Sequence, residues 1–184
     1  KNVFVRVEVL PEDLEEFESK LMPPSSRSNG GRALAENDEM DPLVGKKAPE
    51  IQAKSLKGQD FKLSDQKGKI IVLDFWATWC GPCVRALPEL IKATSSFNKN
   101  KVSFLAVNQG ESKKVISKFL KKEKLKSLTV LLDETQKIGE DFKVKGIPKT
   151  VVLDQNGIIR HVHVGFSSDI GNRLKGEIDK LLTE

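Results

Sequence analysis

Lys69-Ile70-Ile71-Val72-Leu73-Asp74-Phe75-Trp76 runs directly into Ala77-Thr78-Trp79-Cys80-Gly81-Pro82-Cys83, and this stretch decides the fold. Its first half is apolar apart from Lys69 and Asp74, and it is rich in β-branched and aromatic residues. A short run of that kind reads as a strand buried on both faces, at the centre of a sheet. The cysteines follow at once and open a helical segment, expected from about Gly81 to Phe97. Residues three apart on a first helical turn are neighbours, so the two sulfurs can bond without backbone movement. Pro82 suits that turn, where its missing N–H would have no partner. The positive end of the helix favours the thiolate of the first sulfur. Cys80 is therefore expected as the exposed nucleophile, and Cys83 as the more buried resolving thiol.

Other readings of the pair compete. Half of a zinc site is one, but a structural site needs four ligands, and the other candidates, His161 and His163, lie two apart in an expected strand. A purely structural disulfide is another, but one closing so small a loop stabilises little. Asp74 favours redox chemistry. It interrupts the run expected to be most buried, where an unpaired carboxylate is costly or takes up a proton. Six residues before Cys80, it is placed to accept the proton of Cys83. Pro88 falls inside the following helix and should kink it. Pro148, in Gly146-Ile147-Pro148, stands at the mouth of the strand Thr150-Val151-Val152-Leu153. A proline there suggests a special turn, although most X-Pro bonds are trans.

Outward from this centre, the pattern alternates strands and helices. Short strands are expected at 50–54 and 60–63 around Lys57-Gly58. Beyond the cysteines come a strand at 102–107, a helix near 112–124, a strand at 128–132 and a helix at 134–142. Val115, Ile116, Phe119 and Leu120 are expected on one face of the first of these helices. A hairpin follows, with strands at 149–153 and 158–164 around Asp154-Gln155-Asn156-Gly157. The last helix runs from about Ser168, with Ile170, Leu174, Ile178 and Leu181 inward. This is an α/β pattern, a mixed sheet with helices on both faces.

The main domain is placed at 43–184. Residues 1–42 form an N-terminal extension, which gives the fold a β-hairpin-type appendage. Val3, Val5, Val7 and Val9 alternate as a strand, Pro11-Glu12-Asp13 reads as a helix start, and 23–31 is a linker by composition. The chain starts at Lys1, so a removed leader or a truncated upstream region is expected. Charge is uneven. Residues 1–45 hold five Lys/Arg against ten Asp/Glu, and the rest holds 26 against 16, within a total net charge of +5. The Lys-rich stretch 113–126 has only Phe119 as an aromatic residue, on its apolar face, which argues against nucleic-acid binding. No run approaches the roughly 18–20 apolar residues of a membrane span.

Together, Asp74-Phe75-Trp76-Ala77-Thr78-Trp79-Cys80-Gly81-Pro82-Cys83, Pro88 and Gly146-Ile147-Pro148 resemble the thioredoxin superfamily. Val44-Gly45-Lys46-Lys47-Ala48-Pro49, Leu63-Ser64 and Val152-Leu153-Asp154-Gln155-Asn156-Gly157 look like its TlpA/ResA-type branch, related to AhpC/TSA proteins. The resemblance covers about 43–184 and implies a thioredoxin-like fold with a redox-active Cys80–Cys83 disulfide. It implies a cis Pro148 facing the cysteines, an Ile147 backbone that pairs with an extended substrate, and Trp79 flanking the groove. Gly81 and Pro82 complete the expected substrate surface. Asp74 would serve Cys83.

Two departures stand out. Gly-Pro between the cysteines is the pairing of reducing thioredoxins, whereas cytochrome-maturation members often carry an acidic residue there. The partly buried Lys of thioredoxins has no counterpart in Phe104-Leu105-Ala106-Val107-Asn108.

The expected activity is protein-disulfide reduction by a monomer without cofactor or metal, acting on disulfide-containing proteins and fed by an upstream electron donor. The expected location is extracytoplasmic and bacterial, with a membrane tether possible through a missing N-terminal part; the alternative is cytoplasmic. A peroxiredoxin-like peroxidase is one rival, but Ala77 and Leu73 stand where that chemistry wants Thr and Pro. A non-enzymatic binding module on the same groove is the other.

Overall fold

The strand Ile70–Trp76 is buried along its whole length, as its continuous apolar run requires. The computed structural model of the chain describes residues 41–125 and 128–184. The strand expected at 3–9, the helix start behind it and the linker at 23–31 lie outside the described residues. In chain order the elements are β1 (Gln52–Lys54), β2 (Asp60–Lys62), a 3₁₀ turn (Leu63–Gln66), β3 (Ile70–Trp76), α1 (Gly81–Ser95), β4 (Val102–Gln109) and α2 (Lys113–Lys122). They continue with β5 (Val130–Asp133), α3 (Lys137–Asp141), β6 (Lys149–Leu153), β7 (Ile159–Val164) and α4 (Ile170–Thr183).

Strands β1 and β2 form a small antiparallel hairpin. The other five build a mixed sheet in the order β5-β4-β3-β6-β7. β3 pairs in parallel with β4, Trp76 opposite Asn108, and antiparallel with β6, Asp74 opposite Thr150. Successive side chains of a strand point to opposite faces. Ile70, Val72 and Trp76 accordingly pack under α1, α2 and α4, in clusters with Leu87, Leu90, Ile116 and Leu174. Ile71, Leu73 and Phe75 pack on the other face with Phe142, Ile51, Leu63 and Leu43. Asp74 belongs to the first set and so lies beneath α1.

The elements match the sequence pattern with local shifts. Ile170, Leu174, Ile178 and Leu181 are buried in α4 as expected. α1 continues through the buried Pro88. The helix expected at 134–142 is shorter because Gln136 adopts φ 61, a left-handed conformation incompatible with the helix interior. Val115 does not join the inward face of α2 and is 46% exposed. Ile116 and Leu120 set that face, and Val115 falls about 100° and 140° from them around a helix of 3.6 residues per turn.

The chain between α3 and β6 is held down by two groups. The Phe142 ring packs on Phe75 with centroids 5.4 Å apart. Lys149 Nζ, 3% exposed, donates to the Phe142 carbonyl at 2.9 Å and pairs with Asp41 Oδ2 at 2.9 Å. Phe142→Ala should therefore cost about 3–5 kcal/mol of stability, measurable by urea denaturation.

Candidate active site

Chain direction brings three loops to one end of the sheet. β3 and β4 are parallel, so the segment after each leaves at the same end, and β6 is antiparallel, so the segment before it arrives there. These segments are 77–80, 110–112 and 142–148.

The first carries the cysteines. Cys80 and Cys83 form a disulfide with Cα atoms 5.3 Å apart. Cys80 is the N-cap of α1, in extended conformation, and the Cys83 amide donates to its sulfur at 3.2 Å. The same amide would hydrogen-bond the Cys80 thiolate in the reduced pair, adding to the pull of the helix end. The expected order of burial holds, but the expected exposure of Cys80 does not. Cys80 is only 5% exposed and Cys83 is fully buried. The reason is the neighbouring loop: Cys80 Sγ lies 3.8 Å from the Ile147 carbonyl oxygen. The surface offered to solvent is made by Trp79, 73% exposed, with Gly81 and Pro82.

The third segment brings Ile147 and Pro148, joined by a cis peptide bond as the resemblance implied. Pro148 is buried and Ile147 half-buried. Sequence alone favours trans, so this feature came from the resemblance rather than the residues.

Asp74 is fully buried. Its Oδ1 accepts a hydrogen bond from Thr150 Oγ1 at 3.0 Å, while Oδ2 has no partner. Burial pushes its pKa up from 3.8 to about 8, opposed by the Thr150 bond. The group therefore carries a proton at neutral pH while the disulfide is closed. The buried lysine among the described residues, Lys149, belongs to the opposite face, since it pairs with Phe75 and not with Asp74. His161 and His163, the other zinc candidates, both lie beside Glu177, at 3.8 and 3.0 Å. Among the described residues no group of three or more His, Cys, Asp or Glu is arranged to hold a metal ion.

One residue of the site was missed in the sequence reading. Glu111 Oε2 accepts from the Thr78 amide at 2.7 Å and from Asn108 Nδ2 at 2.8 Å, and Oε1 accepts from the Thr78 hydroxyl at 2.5 Å. The turn at Gly110 (φ 75) makes this possible, and a Cβ there would meet Gln136 Nε2 at 2.9 Å. Glu111 thus ties the exit of β4 to the loop that ends in Trp79 and Cys80. The available signal was its place: it follows the carboxyl end of a strand parallel to the site strand, where functional groups of such sheets gather.

The chain matches the AhpC/TSA family over residues 44–162. It is 34% identical over 122 residues to the thiol–disulfide oxidoreductase ResA of Geobacillus kaustophilus, a match covering 66% of this chain and 70% of that one. A solved structure from Chlorobium tepidum, described as a DsbE-type thiol:disulfide interchange protein, superposes with a TM-score of 0.70 at 32% identity, over 76% of this chain and 97% of that chain. The exposed lipoprotein thioredoxin of Streptococcus pneumoniae superposes at 0.64 and 25% identity, over 72% of this chain and 99% of that one.

Two outcomes follow from this geometry. In the folded, oxidised protein Asp74 keeps its proton up to about pH 8, whereas in the unfolded chain it ionises near 3.8. Between these values the folded state holds the extra proton, so stability falls as pH rises and levels off above about 8. Asp74→Asn should therefore match the parent at acid pH and exceed it by a few kcal/mol at pH 7, in urea melts, at about 1.4 kcal/mol per pH unit. Glu111→Ala should lower the kcat/KM of disulfide exchange roughly ten- to hundredfold by loosening the cysteine loop. Glu111→Gln, which can still accept from the Thr78 amide, should recover most of that loss in the same assay.

Proposed function

The chain belongs to the AhpC/TSA family and is a thiol–disulfide oxidoreductase of the ResA-like, thioredoxin-fold kind; from that premise we propose that it reduces protein disulfides through Cys80 and Cys83. The observation that carries this reading is the Cys80–Cys83 disulfide at the start of α1, with buried Asp74 beneath that helix and the Ile147–Pro148 turn against the first sulfur.

The Cys80 thiolate attacks one sulfur of a substrate disulfide. A mixed disulfide forms, and the first substrate sulfur leaves as a thiolate and takes a proton from solvent. Asp74 in its ionised form, which a pKa of about 8 leaves to a minority of molecules at neutral pH, then accepts the Cys83 proton. The Cys83 thiolate attacks Cys80 Sγ, closes the enzyme disulfide and expels the second substrate thiolate. Two electrons pass from the enzyme dithiol to the substrate. An Asp74 pKa raised to about 8 suits the step, because burial brings the carboxyl up toward the range in which thiols ionise and so reduces the uphill cost of moving the proton. The closed disulfide together with a protonated Asp74 is the state in which this sequence ends.

Trp79, Gly81 and Pro82 form the exposed wall against which a substrate rests, and the Ile147 backbone with Pro148 forms the opposite wall. No cofactor beyond the cysteine pair takes part. Ala77 and Leu73 argue against a peroxidase, which would want Thr and Pro at those positions. The partners are disulfide-containing proteins on one side and an electron donor on the other. The ResA-like relatives and the exposed pneumococcal lipoprotein support work outside the cytoplasm.

Cys80→Ser should abolish reduction of insulin, and Cys83→Ser should accumulate mixed disulfides visible on non-reducing gels. Persisting turnover by Cys80→Ser would falsify the assignment. A strongly reducing potential for the Cys80–Cys83 couple supports the direction given, and an oxidising one reverses it.

A further inference from the structure

Helix α2 presents a face that the redox chemistry does not use. Lys113, Lys114, Lys118, Lys121 and Lys122 are all exposed, and no residue of the helix is acidic. At 3.6 residues per turn the five fall within about half of the circumference, with Lys114, Lys118, Lys121 and Lys122 turned away from the buried Ile116 and Leu120 and Lys113 at the edge nearest Leu120. Val115 stands at the rim of this arc.

The arrangement works against the helix that carries it. Lys114 with Lys118, and Lys118 with Lys122, are like charges four residues apart, a destabilising spacing. Lys113 and Lys114 occupy the first turn, where the helix dipole disfavours cations, and that turn holds no acid. Among the described residues only Lys122 of the five has a carboxylate partner, Glu123 at 3.5 Å. The helix is nonetheless firmly seated. Ile116 and Leu120 are buried, and the Phe119 ring lies 5.6 Å from that of Trp76. A rigid face of one sign, whose self-repulsion is offset only by the helix dipole at Lys121 and Lys122 and by the Lys122–Glu123 pair, is complementary to an external polyanion.

We propose that this face docks the protein on an anionic phospholipid surface. The residue types favour that partner over others. All five cations are lysines, compact point charges without the bidentate fork that arginine offers to a fixed phosphate or carboxylate. A nucleic-acid face would add exposed aromatics for stacking, and a protein interface would add Trp, Tyr or Arg anchors. Here the exposed apolar group is Val115 alone. A fluid charged surface asks only for number and spacing of charges. α2 begins just after Glu111, which holds Thr78, so the N-terminal end of this face lies next to the loop that leads to the cysteines.

The test is co-sedimentation of the full chain with vesicles of phosphatidylcholine alone or mixed with phosphatidylglycerol. Binding to the mixed vesicles at low salt, its loss at high salt and its absence with phosphatidylcholine alone are the expected results. Each lysine near such a surface contributes roughly fivefold in partitioning, so Lys118→Gln with Lys121→Gln should weaken binding roughly 25-fold. The corresponding Arg pair should bind like the parent, since charge and not a specific fork is needed. Both pairs should retain disulfide exchange in solution, which shows that they fold. Equal binding by the Gln pair, or no binding by the parent at low salt, overturns the proposal. Retention on single-stranded DNA without vesicle binding overturns it too and moves the face to a different partner.

Discussion

Burial of β3 on both faces is the constraint from which the arrangement follows. All seven of its residues are excluded from solvent, so the sheet must extend on each side of it and helices must cover it. The chain cannot leave this strand until it reaches the sheet edge, and the first residues outside are those that lead to Cys80. The neighbours of β3 then determine what the cysteines meet. β4 runs parallel and delivers Glu111 to the same end, and β6 runs antiparallel and starts there with Pro148. Three segments distant in sequence converge because of strand direction alone.

The same burial sets the chemistry of Asp74. A carboxyl group in water gives up its proton well below neutrality, whereas this one keeps it to about 8 because ionisation would place a charge in an apolar interior. The single hydrogen bond from Thr150 does not offset that. The cost of ionising it there falls on folding stability. The cysteines are treated in the opposite way. Their helix terminus and the Cys83 amide favour negative charge on the first sulfur.

The polar groups near the site differ in purpose. Lys149 is buried, yet its ammonium meets Asp41 and the Phe142 carbonyl, so it fastens the loop that carries Pro148. Glu111 fastens the loop that carries Cys80. Both spend charged side chains on position, which a redox site in loops requires because loops lack the ladders that hold strands. The lysines of α2 have no such internal use, and their repulsion is tolerated on a helix whose inner face is well anchored.

Local pattern was legible wherever one interaction dominated. The buried run at 70–76, the apolar spacing of α4 and the turn at Asp154–Gly157 each follow from hydrophobic periodicity or turn chemistry. Cys80, Cys83 and Asp74 were legible because residue type and spacing alone are unusual. Val115 was misplaced because it falls about 100° from Ile116, beyond the arc that Ile116, Phe119 and Leu120 turn to the core. Glu111 was missed because it looks like any surface acid until Thr78, 33 residues away, comes within 2.7 Å. By itself, then, the sequence determined that a dithiol pair opens a helix behind a buried, acid-bearing strand. Only the tertiary structure decided how far Cys80 is covered, which carbonyl lies against it and which side chain steadies its loop. Those are contacts between segments, set by strand order and direction, and no local pattern of residues encodes them.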